Sequence, residues 1–371
     1  MTTVRKPVGP VRYAMIGAGW FGQEAVLPAF RNARHNSRLA VIVSGDPTKR
    51  AELAKKYDVP AVPYSDLTRV LASGDVDAVY VVTPNTEHEE PTLAAARHGV
   101  HVLCEKPLAE SAAAADRMVA ACNAAGVRLM TAYRLHFEKA NLTAVEHVRQ
   151  GKIGNPRLLN ATYTSTVAEG NIRLDPAHGG HPLLDLGVYC VNAARYLFRD
   201  EPIEAVGYEV GRKGATAGGV PDMVAAVLKF PADRLAAISC GFAQAPVSHY
   251  RVVGTAGELE LDPAFSYTGK KALALTIGHD TRKTMFPNVD QVAPEIEYSS
   301  DCLLGGRPPE PDGREGATDL RVIDAIRASV RDGRAVPVQP APEKPRPDLH
   351  QYRERPPVKK PELVHAAAPS E

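Results

Sequence analysis

Six residues near the N-terminus, GAGWFG at positions 17–22, constrain this chain more than any other stretch. They follow an apolar run, RYAMI, and precede a segment of helical composition beginning near Gln23. Glycines at this spacing, leaving a strand and opening a helix, form the dinucleotide fingerprint of a βαβ unit. Each glycine has its own role. Gly17 permits the tight turn, Gly19 lets the backbone approach a pyrophosphate, and Gly22 allows close packing of helix on strand. Phosphate charge then meets the helix N-terminus and its free amides.

The residues after the fingerprint strengthen it. From residue 11 to about 131, short β-rich runs (YAMIG, LAVIVS, DAVYVV, HVLC, RLMT) alternate with helix-like stretches such as 49–57, 90–98 and 112–125. That order predicts parallel βαβ units, hence an α/β fold with an N-terminal Rossmann domain over residues 1–131, a doubly wound parallel sheet with helices on both faces. After Tyr133 the pattern changes. A helix-like segment (141–150), a strand beginning near Arg157, a loop rich in Gly, His and Pro, and another helix-like run (183–197) come first. Strand-like stretches at 205–210, 223–230, 235–241, 250–253 and 258–261 come next, joined by short turns such as FPADR and GTAGE. Residues 132–338 are therefore expected to form a C-terminal α+β domain with a large, mostly antiparallel open sheet. Residues 318–330 regain helical periodicity, with Gly333 as a terminator. Residues 339–371 are proline-rich and charged, a composition that builds no core of its own, and read as a solvated tail or an arm lying across the protein.

Composition excludes several function classes. With 44 Lys and Arg against 43 Asp and Glu, the net charge of +1 gives no basis for charge-driven binding to nucleic acid or a membrane surface, and a small neutral substrate suits it better. Five cysteines lie far apart, without zinc-site spacing or the density of a disulfide scaffold, as expected of reduced thiols in a cytoplasmic protein. No apolar leader precedes the first strand and no apolar run is long enough for a bilayer, so neither export nor membrane insertion is expected.

The second strand of the fingerprint unit ends at Ser44, followed by Gly45, Asp46, Lys49 and Arg50. A carboxylate at the strand end repels a 2′-phosphate, whereas a hydroxyl with nearby cations binds one. Ser44, Gly45, Lys49 and Arg50 thus point to NADP. The alternative is that Asp46 takes the ribose, as in an NAD site, with Lys49 and Arg50 only solvated residues of a helix start. Lys106, in HVLCEKPLAE, stands where another strand leaves the sheet, the edge at which open α/β sheets bind ligands.

GAGWFG, TPNTEH at 83–88, CEKPLA at 104–109, YRLHF at 133–137 and GGHPLLDLGVYCVN at 179–192 together resemble the Gfo/Idh/MocA oxidoreductase family. The stretches SGDPTK, DLGVYCVNAARYL and DEPIEAV are most similar to its glucose-fructose and aldose-aldose oxidoreductase branch. The similarity runs from about residue 11 to 338. It implies metal-free hydride transfer on a sugar, with Thr83, Pro84, Asn85 and His88 bordering the nicotinamide ribose and Glu105 and Lys106 beside the cofactor.

The chemistry of these residues is consistent with that implication. Asp185 and Tyr189 are four apart on an expected helix and share a face. A tyrosine titrates near ~10 and needs its anion stabilised to serve as a base at neutral pH, which a nearby ammonium does. Tyr189 is therefore assigned as proton donor and acceptor, Lys106 as its electrostatic partner and substrate anchor, and Asp185 as the group holding substrate hydroxyls. His178 and His181 either line the sugar pocket or are satisfied within their turn. Arg134 and Arg173 bind sugar or cofactor, or else form ion pairs. Trp20 and Phe21 cover the cofactor or pack.

The expected protein is an NADP-dependent oxidoreductase that oxidises a cyclic aldose at C1 and passes hydride from tightly bound NADPH to a second sugar. A dehydrogenase that releases its cofactor, acting on an aldose, an anhydro sugar or an inositol, is the first alternative. A non-catalytic sugar and nucleotide sensor is the second. Family resemblance further implies a homodimer or homotetramer, with the open sheet covered by another copy.

Overall fold

The computed structural model describes residues 4–211, 219–341 and 345–369. The chain divides into two compact units. One comprises Met1–Arg134, Val289–Ala317 and Arg353–Ala368, the other Leu135–Asn288, Thr318–Tyr352 and Pro369–Glu371. The chain thus departs from the contiguous domains expected at 1–131 and 132–338, because two later segments return to the first unit.

In the first unit, β1 (Val11–Ile16), β2 (Ser37–Val43), β3 (Ala61–Val62), β4 (Ala78–Val81), β5 (His101–Glu105) and β6 (Leu129–Ala132) form a sheet of order β3-β2-β1-β4-β5-β6. Every pairing is parallel. β4 and β5 are buried at every residue, as central strands covered on both faces must be, which is why they read as unbroken apolar runs. The intervening helices carry ordinary stop and start signals. Asp46 caps Pro47–Tyr57 by accepting from Thr48 N and Lys49 N, and Ser111 caps Ala112–Ala125, which ends on Gly126 at φ 70°.

The helix Val292–Leu304 also belongs to this unit and is absent from the sequence expectation. Nearly every one of its residues is buried, including Glu295, Glu297, Ser299 and Ser300, whose polarity gives no sign in the sequence of a core helix. Its Ser300 hydroxyl and the Glu297 carbonyl find partners inside. Ser300 Oγ lies 2.9 Å from Tyr13 Oη and 2.7 Å from Ser37 Oγ, and Asn36 Nδ2 donates to the Glu297 carbonyl at 2.9 Å.

The second unit holds a nine-stranded sheet built from β7 (Pro156–Thr166), β8 (Glu204–Gly211), β9 (Pro221–Phe230), β10 (Arg234–Gly241), β11 (Ala243–Gly254), β12 (Gly257–Asp262), β13 (Lys271–Ile277), β14 (Asp280–Phe286) and β15 (Val336–Pro337). Its order is β14-β13-β12-β11-β7-β10-β9-β8-β15. Only β7 with β10 is parallel; the other ladders are antiparallel. β13 and β14 lie outside the sequence expectation, since DTRKTMF exposes six of its seven residues and carries no alternation. As an edge strand it tolerates charge, which discourages further pairing. One side of the sheet carries the helices. On its other side Leu158, Tyr208, Val227 and Leu235 are exposed.

Inside this unit the fully buried Arg195 donates to Asp319 at 2.6 Å and to Glu201 at 2.6 and 2.8 Å. Asn192 Nδ2 donates to the other Asp319 oxygen and its Oδ1 lies 2.8 Å from His136 Nε2. A buried guanidinium needs this full set of partners to offset its desolvation, and the network pins the helix Val188–Phe198 in place. All five cysteines are free and buried. No helix among the described residues is long and apolar enough to cross a membrane.

Candidate active site

The fingerprint turn has the shape a pyrophosphate requires. Gly17 stands at φ +100°, and a Cβ on it would lie 2.6 Å from the Val82 carbonyl oxygen and 2.9 Å from Thr83 N, so β1 and β4 meet here without room for a side chain. A Cβ on Gly22 would come within 3.2 Å of Gly17 O. At Gly19, which is exposed, it would meet nothing within 4 Å. Gly17 and Gly22 are therefore required by the protein itself, and Gly19 opens onto the space a dinucleotide needs. The helix starts earlier than the expected Gln23: Gly22–Val26 is a π-helical turn that continues into Leu27–Asn32. Trp20 and Phe21 are half-buried beside it, ring centroids 6.3 Å apart.

At the end of β2, Ser44 is buried and Gly45 exposed. Arg50 does not extend toward a ligand, because its Nη1 donates to the carbonyls of Ser44 and Gly45 at 2.8 and 2.9 Å and so braces the loop. Lys49 is half-buried one residue before it. Both Asp46 oxygens are engaged: Oδ1 accepts from Thr48 N and Lys49 N, and Oδ2 lies 3.0 Å from His365 Nδ1. These contacts hold its carboxyl below the usual range, led by the Lys49 amide. A carboxylate so occupied is poorly placed to accept both hydroxyls of a ribose, which weakens the NAD alternative.

Behind β4 and β5 lies a buried acid cluster. Tyr80 Oη donates to Glu105 Oε1 at 2.8 Å and lies 2.9 Å from Glu295 Oε1. One hydroxyl carries one proton, so the second contact is made by a proton on Glu295. Burial, then the neighbouring Glu105 charge, pushes the Glu295 carboxyl well above its ordinary range. Burial also raises Glu105, opposed most by the Lys106 ammonium. Glu105 Oε2 accepts the Lys106 amide at 3.2 Å, and Lys106 itself is half-buried, followed by a cis peptide to Pro107. Glu105 thus braces the lysine turn from inside.

Two more expected ligand contacts turn out to be interior residues. His88 is 1% exposed, its ring nitrogens each 2.9 Å from a carbonyl, those of Pro107 and Thr83. Burial pushes its pKa down against the opposing pull of these carbonyls, and the ring ties the 83–88 loop to the lysine turn. Arg134 is 4% exposed, and its Nη1 donates to Gln291 Oε1 at 2.5 Å, the side-chain contact of an interior residue. Thr83 Oγ1 donates to the Glu87 carbonyl, and Pro84 and Asn85 lead into a short 3-10 turn, half-buried at the loop surface.

In the second unit, the loop before the helix Val188–Phe198 closes on itself. A Cβ on Gly180 would sit 2.4 Å from the Arg173 carbonyl oxygen, and Gly180 N donates to Asp175 O at 3.0 Å. His178 Nδ1 lies 2.8 Å from Asp175 Oδ2. His181 Nδ1 accepts from Leu183 N at 3.2 Å, and burial pushes this imidazole down to about 3, leaving it neutral. Arg173 Nε donates to Asp185 Oδ2 at 2.6 Å. The fold thus brings Arg173, His178, His181 and Asp185 into one loop and helix start.

Leu183–Gly187 is a second π-helical turn, packed closely at Gly187, where a Cβ would lie 3.0 Å from Cys240 Sγ. Such turns recur at functional sites. Because its bonds span five residues, the simple four-residue face shared by Asp185 and Tyr189 is loosened. Tyr189 is 7% exposed, its ring packed against Tyr163 and Phe265 at centroid distances of 5.7 and 6.2 Å. Tyr80, Gln291, Glu295, Tyr163 and Phe265 had no signal in the sequence, since each acts through a partner distant in the chain. Among the described residues no cluster of three or more His, Cys, Asp or Glu could hold a metal ion.

Two family models match. One, the oxidoreductase family with NAD-binding Rossmann fold, covers residues 11–133, and the other, the GFO/IDH/MocA C-terminal domain, covers residues 141–260. A D-xylose 1-dehydrogenase (NADP+) of Haloarcula marismortui is 34% identical over 326 residues, 85% of this chain and 90% of that protein. The crystal structure of aldose-aldose oxidoreductase from Caulobacter crescentus, complexed with glycerol, matches with TM-score 0.84 and 36% identity over 88% of this chain and 99% of that one. A 3-ketoreductase from Actinomadura kijaniata in complex with NADP and TDP-benzene matches with TM-score 0.79 and 26% identity, covering 86% and 98%.

Proposed function

The chain belongs to the GFO/IDH/MocA oxidoreductase family, and we propose that it is an NADP-dependent sugar oxidoreductase that oxidises a cyclic aldose at C1 to the lactone. The likeness to an aldose-aldose oxidoreductase, which spans both units, carries this reading. The occupied Asp46 carboxylate supports NADP over NAD.

When bound, NADP supplies the hydride acceptor. Tyr189 takes the proton of the C1 hydroxyl as the hydride leaves, and the Lys106 ammonium stabilises the phenolate that prepares it. Asp185, oriented by Arg173, accepts hydrogen bonds from the sugar ring hydroxyls, with His178 and His181 bordering the same loop. Gly17, Gly19 and Gly22 would hold the pyrophosphate, Ser44, Gly45 and Lys49 the adenosine ribose end, and Thr83, Pro84 and Asn85 the nicotinamide end. Trp20 and Phe21 flank the glycine turn.

If the site held reduced NADP between turnovers, a second sugar would be reduced there to an alditol. The exposed apolar residues Leu158, Tyr208, Val227 and Leu235 support a homo-oligomer that covers the sheet. The test is incubation of purified protein with a panel of aldoses and ketoses and no added cofactor. Acid and polyol in equal amounts are expected. A strict need for added NADP would leave an ordinary dehydrogenase, and binding of NADP without turnover of any sugar would leave a sensor.

A further inference from the structure

The proline-rich C-terminus, readable from sequence only as a tail or an arm, is docked along the first unit over residues 353–368; residues 342–344 and 370–371 lie outside the described residues. Its contacts are specific. Arg355 Nε donates to Glu297 Oε1 at 2.9 Å, Asn32 Nδ2 to the Pro356 carbonyl at 2.9 Å, and Lys56 Nζ to the Glu362 carbonyl at 2.7 Å. Two contacts near its end fall on the cofactor motif itself.

The first is at Gln23, the residue after the last fingerprint glycine, which is 1% exposed. Val364 N donates to Gln23 Oε1 at 2.8 Å, and Gln23 Nε2 donates back to the Val364 carbonyl at 2.9 Å. The same amide nitrogen reaches the Ala18 carbonyl, inside the glycine turn, at 3.0 Å. One buried side chain therefore clamps the arm to the phosphate-binding turn. The second contact is His365 Nδ1 on Asp46 Oδ2 at 3.0 Å, at the loop where a fingerprint unit reads the ribose. These anchors flank the two places that bind the adenosine diphosphate half of a dinucleotide.

We propose that residues 362–365 are a working part of the cofactor site: a strap, clamped by Gln23, in which His365 occupies the Asp46 carboxylate so that the site accepts a 2′-phosphate and releases the nucleotide slowly. The carboxylate supplies the chemical reason. An uncovered Asp46 oxygen would repel the 2′-phosphate of NADP and accept a hydroxyl of NAD; with His365 donating to it, that oxygen is filled and no longer open to the ribose. The strap rests on the reading of this site as one for NADP, which nucleotide binding by the wild-type protein tests separately.

The experiment measures Kd for NADPH and NADH by fluorescence titration, and the NADPH dissociation rate by stopped flow, on three full-length variants and one truncation. His365→Ala, at an exposed side chain, is expected to shift the NADPH to NADH preference toward NADH by about tenfold, the size of one charge-assisted hydrogen bond. Deletion of 362–371 is expected to raise the NADPH dissociation rate by about tenfold or more. Val364→Pro, which removes the N–H given to Gln23, should mimic the deletion, whereas Val364→Ala, which keeps it, should not. Unchanged preference in His365→Ala together with an unchanged release rate in the deletion would overturn the strap. Wild-type protein binding neither nucleotide would overturn the NADP reading as well.

Discussion

Arg173 and Asp185 are joined by a hydrogen-bonded ion pair, Nε to Oδ2 at 2.6 Å, with side chains 25% and 19% exposed. At that exposure the pair contributes modestly to stability, yet it sets the direction of a carboxylate assigned to the substrate. Asp185→Ala should lower kcat/KM for the sugar by about 10- to 100-fold, the range of one hydrogen bond to a charged group. Arg173→Ala should act mainly through KM, because it loosens Asp185 without removing it. Steady-state kinetics with saturating NADP distinguish the two, and a larger kcat defect in the arginine variant would contradict this order.

Tyr189→Phe should reduce kcat by about 100-fold or more, the usual worth of a positioned proton carrier. The ring keeps its place against Tyr163 and Phe265, so thermal stability and NADP affinity should stay near wild type. Retained turnover would move the proton-transfer role to Lys106, His178 or His181.

The fingerprint glycines should separate by assay. Gly19→Ala, with nothing within 4 Å of the new methyl, should leave the melting temperature unchanged and weaken NADP binding by at least about tenfold by crowding the pyrophosphate. Gly17→Ala forces a methyl to 2.6 Å from Val82 O at φ +100° and should lower both stability and binding. Calorimetry without nucleotide, followed by titration, reads both effects.

Glu295 and Glu105 carry carboxyls raised by burial, so the stability they contribute is present at acid pH and lost as pH rises through the raised range. Glu295→Gln, which mimics the protonated acid, should flatten that loss. Tyr80→Phe should cost about 1–3 kcal/mol by leaving Glu105 without its donor and the Glu295 proton without its acceptor. Denaturant midpoints from pH 5 to 8 test both, and an unaltered pH slope in Glu295→Gln would place the shared proton elsewhere.

His181 shifts the balance the other way. Its folded pKa, about 3, lies below the ordinary 6.5, so its contribution is complete above pH 6.5 and lost as pH falls toward 3. His181→Asn, which cannot gain this proton, should reduce the acid sensitivity of the unfolding midpoint.

The α/β class, the fingerprint turn, the switch from parallel to antiparallel strands and the family likeness were all legible in the sequence, because glycine conformations and hydrophobic periods are local properties of a chain. Helix boundaries at 112–125 and strand runs such as 223–230 needed nothing more. The fates of polar side chains waited on tertiary contacts. His88 turned inward because Pro107 and Thr83 present carbonyls to it, Arg134 because Gln291 lies beneath it, and Arg50 because the Ser44 and Gly45 carbonyls face it. Asp46 met His365 across 319 residues, and the helix bearing Glu295 returned from the second half of the chain. Hydrogen bonds of that span depend on which segments come together, and no local pattern of residues records their partners.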